Sequence, residues 1–177
     1  MTSLYRRRLF GAVLVLPFTC GAWAASCARA TPRETEGPFF KPESPQRSVL
    51  VEPGTRAPRL LVSGRVLSSD CKPVAGALLD FWHADEKGDY DNRGFRYRGH
   101  QFTDAEGQYR LETIVPAEYP GRTRHIHVKV QRARGPVLTT QLYFPNEPAN
   151  ERDGLFRPDL VVQVADAGQA RFDFVVA

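Results

Sequence analysis

The sequence is poor in several residue types, and each shortage excludes something. One methionine, two tryptophans, three cysteines and four histidines occur in 177 residues. Three cysteines are too few for a disulfide-dense mini-scaffold or a four-cysteine zinc site. There is no G-x-S-x-G run, and neither Cys27 nor Cys71 has a histidine beside it in sequence, so serine and cysteine hydrolase chemistry lacks support. Beyond the first two dozen residues no long segment carries apolar side chains at helical spacing, which argues against an α-helical fold. No fixed-period repeat is present, which excludes solenoids and propellers. Charge of one sign is not clustered either. The net charge is +4, but Arg6, Arg7 and Arg8 stand in an acid-free leader, and the remainder carries 21 basic against 20 acidic residues. A nearly neutral mature chain offers no electrostatic footprint for nucleic acid or a membrane surface.

Residues 1–24 read as a secretory signal. Arg6-Arg7-Arg8 form its positive end, Leu9 to Phe18 a short apolar run, and Ala22-Trp23-Ala24 a cleavage site, with a second at Ala28-Arg29-Ala30. The apolar run is too short for a stable membrane span. Arg7-Arg8-Leu9-Phe10 after Ser3 looks like a twin-arginine export signal, a route that carries folded proteins. The chain is therefore expected to be exported, periplasmic or secreted. In that oxidising setting Cys27 and Cys71 could pair. Lipidation of Cys27 is the alternative, although Ala24-Ala25-Ser26 lacks the usual leucine.

Residues 31–58 are Pro-rich and polar, without helical or strand period, and read as an extended arm laid over a core. From 59 to 177 the pattern is all-β. Strands are expected at 60–67, 77–84, 108–114, 125–130, 138–144, 161–164 and 170–176, separated by turns and by polar loops at 85–99 and 115–124. Short strands at regular spacing predict a single β-sandwich domain with long loops.

His125-x-His127 is the sharpest local feature. Residues two apart on a strand share a face, so both imidazoles point the same way. Ile126, Val128 and Val130 mark the opposite face as buried. Two imidazoles held together need partners, and a metal is one. A pair of histidines can equally be solvated, and Tyr90 or Tyr119 taken singly can be an ordinary sandwich-edge aromatic. Together the four suggest more. A phenol titrates near 10 and becomes an anion at neutral pH only beside a strong cation, such as a ferric ion. Two imidazoles and two tyrosinates form a hard donor set suited to Fe(III). His83, beside Trp82, reads as structural or at a pocket rim. His100, in the loop with Tyr97, Arg98 and Gln101, is a weaker candidate for touching substrate.

Several runs occur together: Trp82-x-Ala84-x-x-x-Gly88-x-Tyr90, Thr103-Asp104-x-x-Gly107-x-Tyr109, Tyr119-Pro120, Arg122-x-x-His125-Ile126-His127 and Thr139-Thr140-Gln141-x-Tyr143-Phe144. In this order and near this spacing, with Glu36-Gly37-Pro38-Phe39 ahead of them, they resemble the intradiol ring-cleavage dioxygenases over roughly residues 31–146. The resemblance implies Fe(III), non-haem, held by Tyr90, Tyr119, His125 and His127. It implies that Tyr119 leaves the metal when a catechol chelates it, and that the catechol reacts with O2 to give a cis,cis-muconate-type diacid. It places Arg122 beside the substrate ring and Gln141 next to the same pocket. A homo-oligomer would fit it as well. Thr123 stands where the family has proline before the histidines, and Val128 where it has an aromatic. Without a helical N-terminal domain the pattern is nearer the protocatechuate branch than the catechol one.

Two rival readings follow from the same residues. Gly64-Arg65-Val66, Pro73-Val74-x-Gly76-Ala77 and Thr103 to Tyr109 also resemble transthyretin-like and carboxypeptidase-regulatory sandwiches, which catalyse nothing. Such a module has no reason to hold Tyr90, Tyr119, His125 and His127 together. Zinc or copper is the other rival, but zinc usually takes at least three protein ligands, and only two strong ones are apparent.

Overall fold

The computed structural model describes residues 29–166 and 168–177. The leader, with Arg7, Arg8, Cys20 and Cys27, lies outside them. Nine strands are present among the described residues, with two short 3-10 turns at Pro148–Glu151 and Pro158–Leu160, and no α-helix. No helix there is long and apolar enough to cross a membrane.

The strands form two sheets. β1 (Arg59–Ser68) is the spine of the first, with β4 (Gln108–Ile114) antiparallel on one side. On its other side β8 (Gln169–Arg171) and then β9 (Phe174–Val176) run parallel to it, and β7 (Gln163–Asp166) pairs with β8. The second sheet has the order β3-β2-β5-β6, with β3 at Arg98–Phe102, β2 at Leu78–Trp82, β5 at His125–Gln131 and β6 at Leu138–Tyr143. Val62, Val66, Leu111 and Phe174 from one sheet meet Leu79, Phe81, Ile126, Val128, Val130 and Leu142 from the other in one buried cluster. The expected sandwich is what forms.

Some boundaries differ from the sequence expectation. β3 begins at Arg98, inside the stretch read as loop, because Arg98, His100 and Phe102 pair with β2 although Gly99 interrupts the pattern. The single strand expected at 170–176 is two. Phe172 breaks it where its carbonyl oxygen crosses Gly64 so closely that a Cβ there would sit 1.8 Å away. Gly64 thus lets the chain step from one half of β1 to the other without leaving it.

Residues 31–58 form no regular strand but are bonded to both sheets. Thr31 N donates to Val175 O, Glu34 N to Thr139 O, Arg47 N to His100 O and Leu50 N to Glu112 O. Cys71, in the β1–β2 turn, is disulfide-bonded.

Candidate metal centre

Strand register gathers the site on the outer face of the second sheet. Arg98 pairs with Trp82, Trp82 with His127, and His127 with Gln141. One row across four strands therefore carries four of the relevant side chains, and His125 opposite Tyr143 forms the next row. The inward residues Phe81, Ile126, Val128 and Leu142 alternate with them and anchor the rows from beneath.

Two loops bring the tyrosines. Tyr90 follows a tight turn in which Asp85 Oδ1 accepts from the Lys87 and Asp89 amides at 2.8 and 3.0 Å. Tyr119-Pro120-Gly121-Arg122 is a β-turn closed by Arg122 N donating to Tyr119 O at 2.9 Å. Proline second and Gly121 third, at φ 80°, are the residues such a turn demands. The turn aims the Tyr119 and Arg122 side chains together, so that Arg122 Nη1 reaches Tyr119 OH at 3.4 Å.

The four predicted ligands close a ring of neighbours. Ring centroids are 5.7 Å apart for Tyr90 and Tyr119, 5.6 Å for Tyr119 and His125, 4.7 Å for His125 and His127, and 6.2 Å for His127 and Tyr90. His125 Nε2 lies 3.1 Å from His127 Nε2 and 3.4 Å from Tyr90 OH. His125 Nδ1 donates to Thr123 O at 2.6 Å, which leaves its Nε2 as a lone pair facing the other donors. Burial, then the Arg122 charge, pushes His125 down to about 4. Burial, then His125, holds His127 well below the usual histidine range. Both are neutral imidazoles at pH 7, the form that ligates. Burial likewise raises the Tyr90 phenol, so only a strong local cation could make it an anion.

This donor set fits a cation. His127 Nδ1 is buried without a hydrogen-bond partner, and its Nε2 lies 3.1 Å from the unprotonated Nε2 of His125. Two nitrogens each about 2.1 Å from a shared ion at near right angles would lie about 3.0 Å apart. Among the described residues no three of His, Cys, Asp and Glu gather at metal-ligand spacing, so the histidines need the tyrosines to complete a set. Phenolate and imidazole together favour a hard trivalent ion over zinc.

Arg122 and Gln141 stand beside these four side chains. Arg122 Nη2 donates to Gln141 Oε1 at 2.6 Å, and Gln141 Nε2 donates to Thr35 O at 3.0 Å. His83 is not at the rim. It is buried, with Nδ1 on Ala84 O at 2.7 Å and Nε2 on Thr113 Oγ1 at 2.6 Å, a satisfied structural residue. His100 is in β3, not a loop, and its Nδ1 contacts Ser44 O at 2.7 Å.

Sequence reasoning missed several neighbours. Trp82 stacks on His127 at 4.8 Å and 5°. Phe39 stacks on Tyr90 at 4.4 Å and 14°, and Gly37 lies against the His127 ring. The arm is thus the roof of the site. Arg98 donates to Asp91 O and Phe39 O, tying roof to loop. Tyr143 OH lies between Gln141 and the Leu155 carbonyl, and Asp153 binds Arg122. Strand parity could have found Trp82 and Tyr143; Phe39 carries a signal only as part of the Glu36-Gly37-Pro38-Phe39 run, and nothing local marks Asp153.

A protein-family model described as Dioxygenase matches residues 35–173. The protocatechuate 3,4-dioxygenase beta chain of Burkholderia cepacia is 36% identical over 117 residues, 56% of this chain and 50% of the relative. The catechol 1,2-dioxygenase of Acinetobacter baylyi is 29% identical over 174 residues, 81% of this chain and 56% of the relative. The chain thus spans about half the length of these two. A solved dioxygenase domain, from a dioxygenase carbohydrate-binding protein fusion of Streptomyces sp. SirexAA-E, superposes with a TM-score of 0.80. It is 56% identical and covers 84% of this chain and 98% of its own.

Proposed function

Because the chain belongs to the intradiol ring-cleavage dioxygenase family, we propose that it opens the ring of a catechol between the two hydroxyl-bearing carbons. One catechol and one O2 give one cis,cis-muconate-type diacid, with both oxygen atoms retained and nothing released. The observation that carries this reading is the closed ring of Tyr90, Tyr119, His125 and His127, its two histidines buried and His125 Nδ1 committed to Thr123 O. These four are the residues that would hold non-haem Fe(III), the cofactor of the family. Bound there, Fe(III) would be chelated by the catecholate and would make it reactive toward O2.

The chain's own groups do the rest. Tyr119 is the ligand we assign to leave, since its hydroxyl already faces Arg122 Nη1 and can take up a catechol proton there. Tyr90 is pinned face-on by Phe39 and stays. The Arg122 guanidinium, largely buried at the edge of the four rings, stabilises negative charge that develops on the substrate ring, a preorganised electrostatic effect. Gln141 fixes that guanidinium at Nη2. Phe39, Gly37 and Trp82 exclude water from the histidine side. A support module would have no use for this arrangement.

Export is part of the same proposal. It rests on the leader's Arg7-Arg8-Leu9-Phe10 and on Cys71 being disulfide-bonded, a state that reducing compartments disfavour.

The test is the visible spectrum and metal content of the purified protein, before and after catechol is added without O2. Tyrosinate on Fe(III) gives a broad charge-transfer band that shifts when catechol binds. Tyr90→Phe and Tyr119→Phe should each weaken or displace the band. Iron-supplied protein that stays colourless and inactive would remove this reading.

A further inference from the structure

We propose that Asp153 is a positioning residue for Arg122: it fixes the plane of the guanidinium that faces the substrate ring. The inference rests on the role given to Arg122 above. Asp153 lies just past the 3-10 turn at Pro148–Glu151, thirty-one positions from Arg122, and its side chain is 1% exposed. Its two carboxylate oxygens accept Arg122 Nε at 3.0 and 2.9 Å. Oδ2 also accepts the Thr123 amide at 3.0 Å, and Oδ1 the Leu155 amide at 2.9 Å. The carboxylate is therefore held by two backbone donors that cannot move independently of the turn and the start of β5.

Among the described residues Arg122 has no other charged partner in hydrogen-bond contact. Its remaining bonds are to neutral groups, Gln141 Oε1, Tyr143 OH and Tyr119 OH, all on the far nitrogens. Of those contacts only the Gln141 one at 2.6 Å is firm, since Tyr119 is the ligand assigned to move and the Tyr143 contact is long at 3.3 Å, so the guanidinium would be held at one point and free to pivot about it. Binding at Nε closes that freedom. It also keeps a buried cation paired, without which burial would drive the guanidinium toward solvent. Oriented charge acts on the transition state and hardly on the bound ground state, so loss of Asp153 should fall on kcat.

Asp153→Asn keeps the shape but sets an amide N–H against a donor on one side. On the iron-loaded protein kcat should drop about 10- to 100-fold, the scale of a misplacement near 1 Å. The charge-transfer band, and the catechol affinity from anaerobic titration of that band, should change less than about 3-fold. Asp153→Glu, which keeps the charge and shifts it by one methylene, should also lower kcat, and it serves if the Asn variant does not fold. Asn150→Ala loosens the same turn by removing the bond from Thr123 Oγ1 and should lower Tm with kcat held within about 3-fold. In an Arg122→Lys background, Asp153→Asn should add little, because both changes remove one unit. Arg122→Lys with undiminished kcat would overturn the role of Arg122 itself. Arg122→Lys impaired with Asp153→Asn normal, additive losses in the double variant, or an equal kcat loss in Asn150→Ala would each overturn the inference about Asp153 while leaving Arg122 in place.

Discussion

Replacing Gly88 by alanine would put a methyl group where the two tyrosine-bearing loops touch. Gly88 has φ +90°, and a Cβ there would lie 2.4 Å from Glu118 O and 3.5 Å from Tyr119 Cβ. A relaxed carbon–oxygen contact is about 3.3 Å, so roughly 0.9 Å must be found. It cannot come from one side alone. Ala117 N donates to Asp85 O at 3.0 Å and Asp85 N to Asp89 O at 2.9 Å, so the two loops are stitched to each other beside the contact. A left-handed L residue costs about 1–2 kcal/mol, and overpacking about 1–3 kcal/mol more. The expected destabilisation is therefore about 2–5 kcal/mol by urea denaturation of the iron-free protein. The displacement should also separate Tyr119 from Tyr90, weaken the charge-transfer band per iron bound, and cost about 10²-fold in kcat. If G88A unfolds within about 0.5 kcal/mol of wild type and keeps both band and rate, the loop contact does not set the spacing of the tyrosines.

Two further outcomes are expected. Burial holds His83 down to about 4 against an ordinary value near 6.5, so the unfolded chain takes up a proton that the folded chain refuses. Its contribution is complete above about pH 6.5 and is lost as pH falls toward 4; in His83→Gln the slope of stability against pH should be shallower there by up to about 1.4 kcal/mol per unit, and an unchanged slope would mean His83 does not titrate on unfolding. Replacing Arg7 and Arg8 by lysine should trap precursor inside the cell if export uses the twin-arginine route, and normal appearance of mature protein outside would sink that part of the proposal.

The site was legible where strand parity does the placing. His125 and His127 share a face because β5 is a strand, and the same parity puts Ile126 and Val128 in the core. Tyr119 and Arg122 come together because Pro120-Gly121 dictates its own turn, inside a stretch that reads in sequence only as a loop. Register was not legible. That Trp82 and Arg98 would stand in line with His127 depends on how β3 and β2 align, which no local pattern states. The contacts of Asp153 and Phe39 at the site were hidden for a simpler reason. Each reaches the site across a long sequence interval, from segments without period, and a lone acid or a Pro-flanked aromatic looks like loop surface until the chain is folded. The C-terminal strand was read as continuous because Ala170 to Val176 is rich in β-formers throughout; the break depends on Gly64, far away in β1.

The anchoring of Thr31 has a consequence for motion. Thr31 N donates to Val175 O and Thr31 Oγ1 accepts from Val175 N, so the start of the arm is fastened to β9 of the sheet that bears none of the four rings. A few residues on, the same arm becomes Gly37 and Phe39, the cover over His127 and Tyr90. Between these two points Glu34 N donates to Thr139 O and Thr35 O accepts from Gln141 Nε2, so the arm is fastened to both sheets before it reaches the rings. Lifting the cover over the rings leaves the Thr31–Val175 pair in place, so the amides of Thr31 and Val175 should exchange with solvent only when β9 itself lets go.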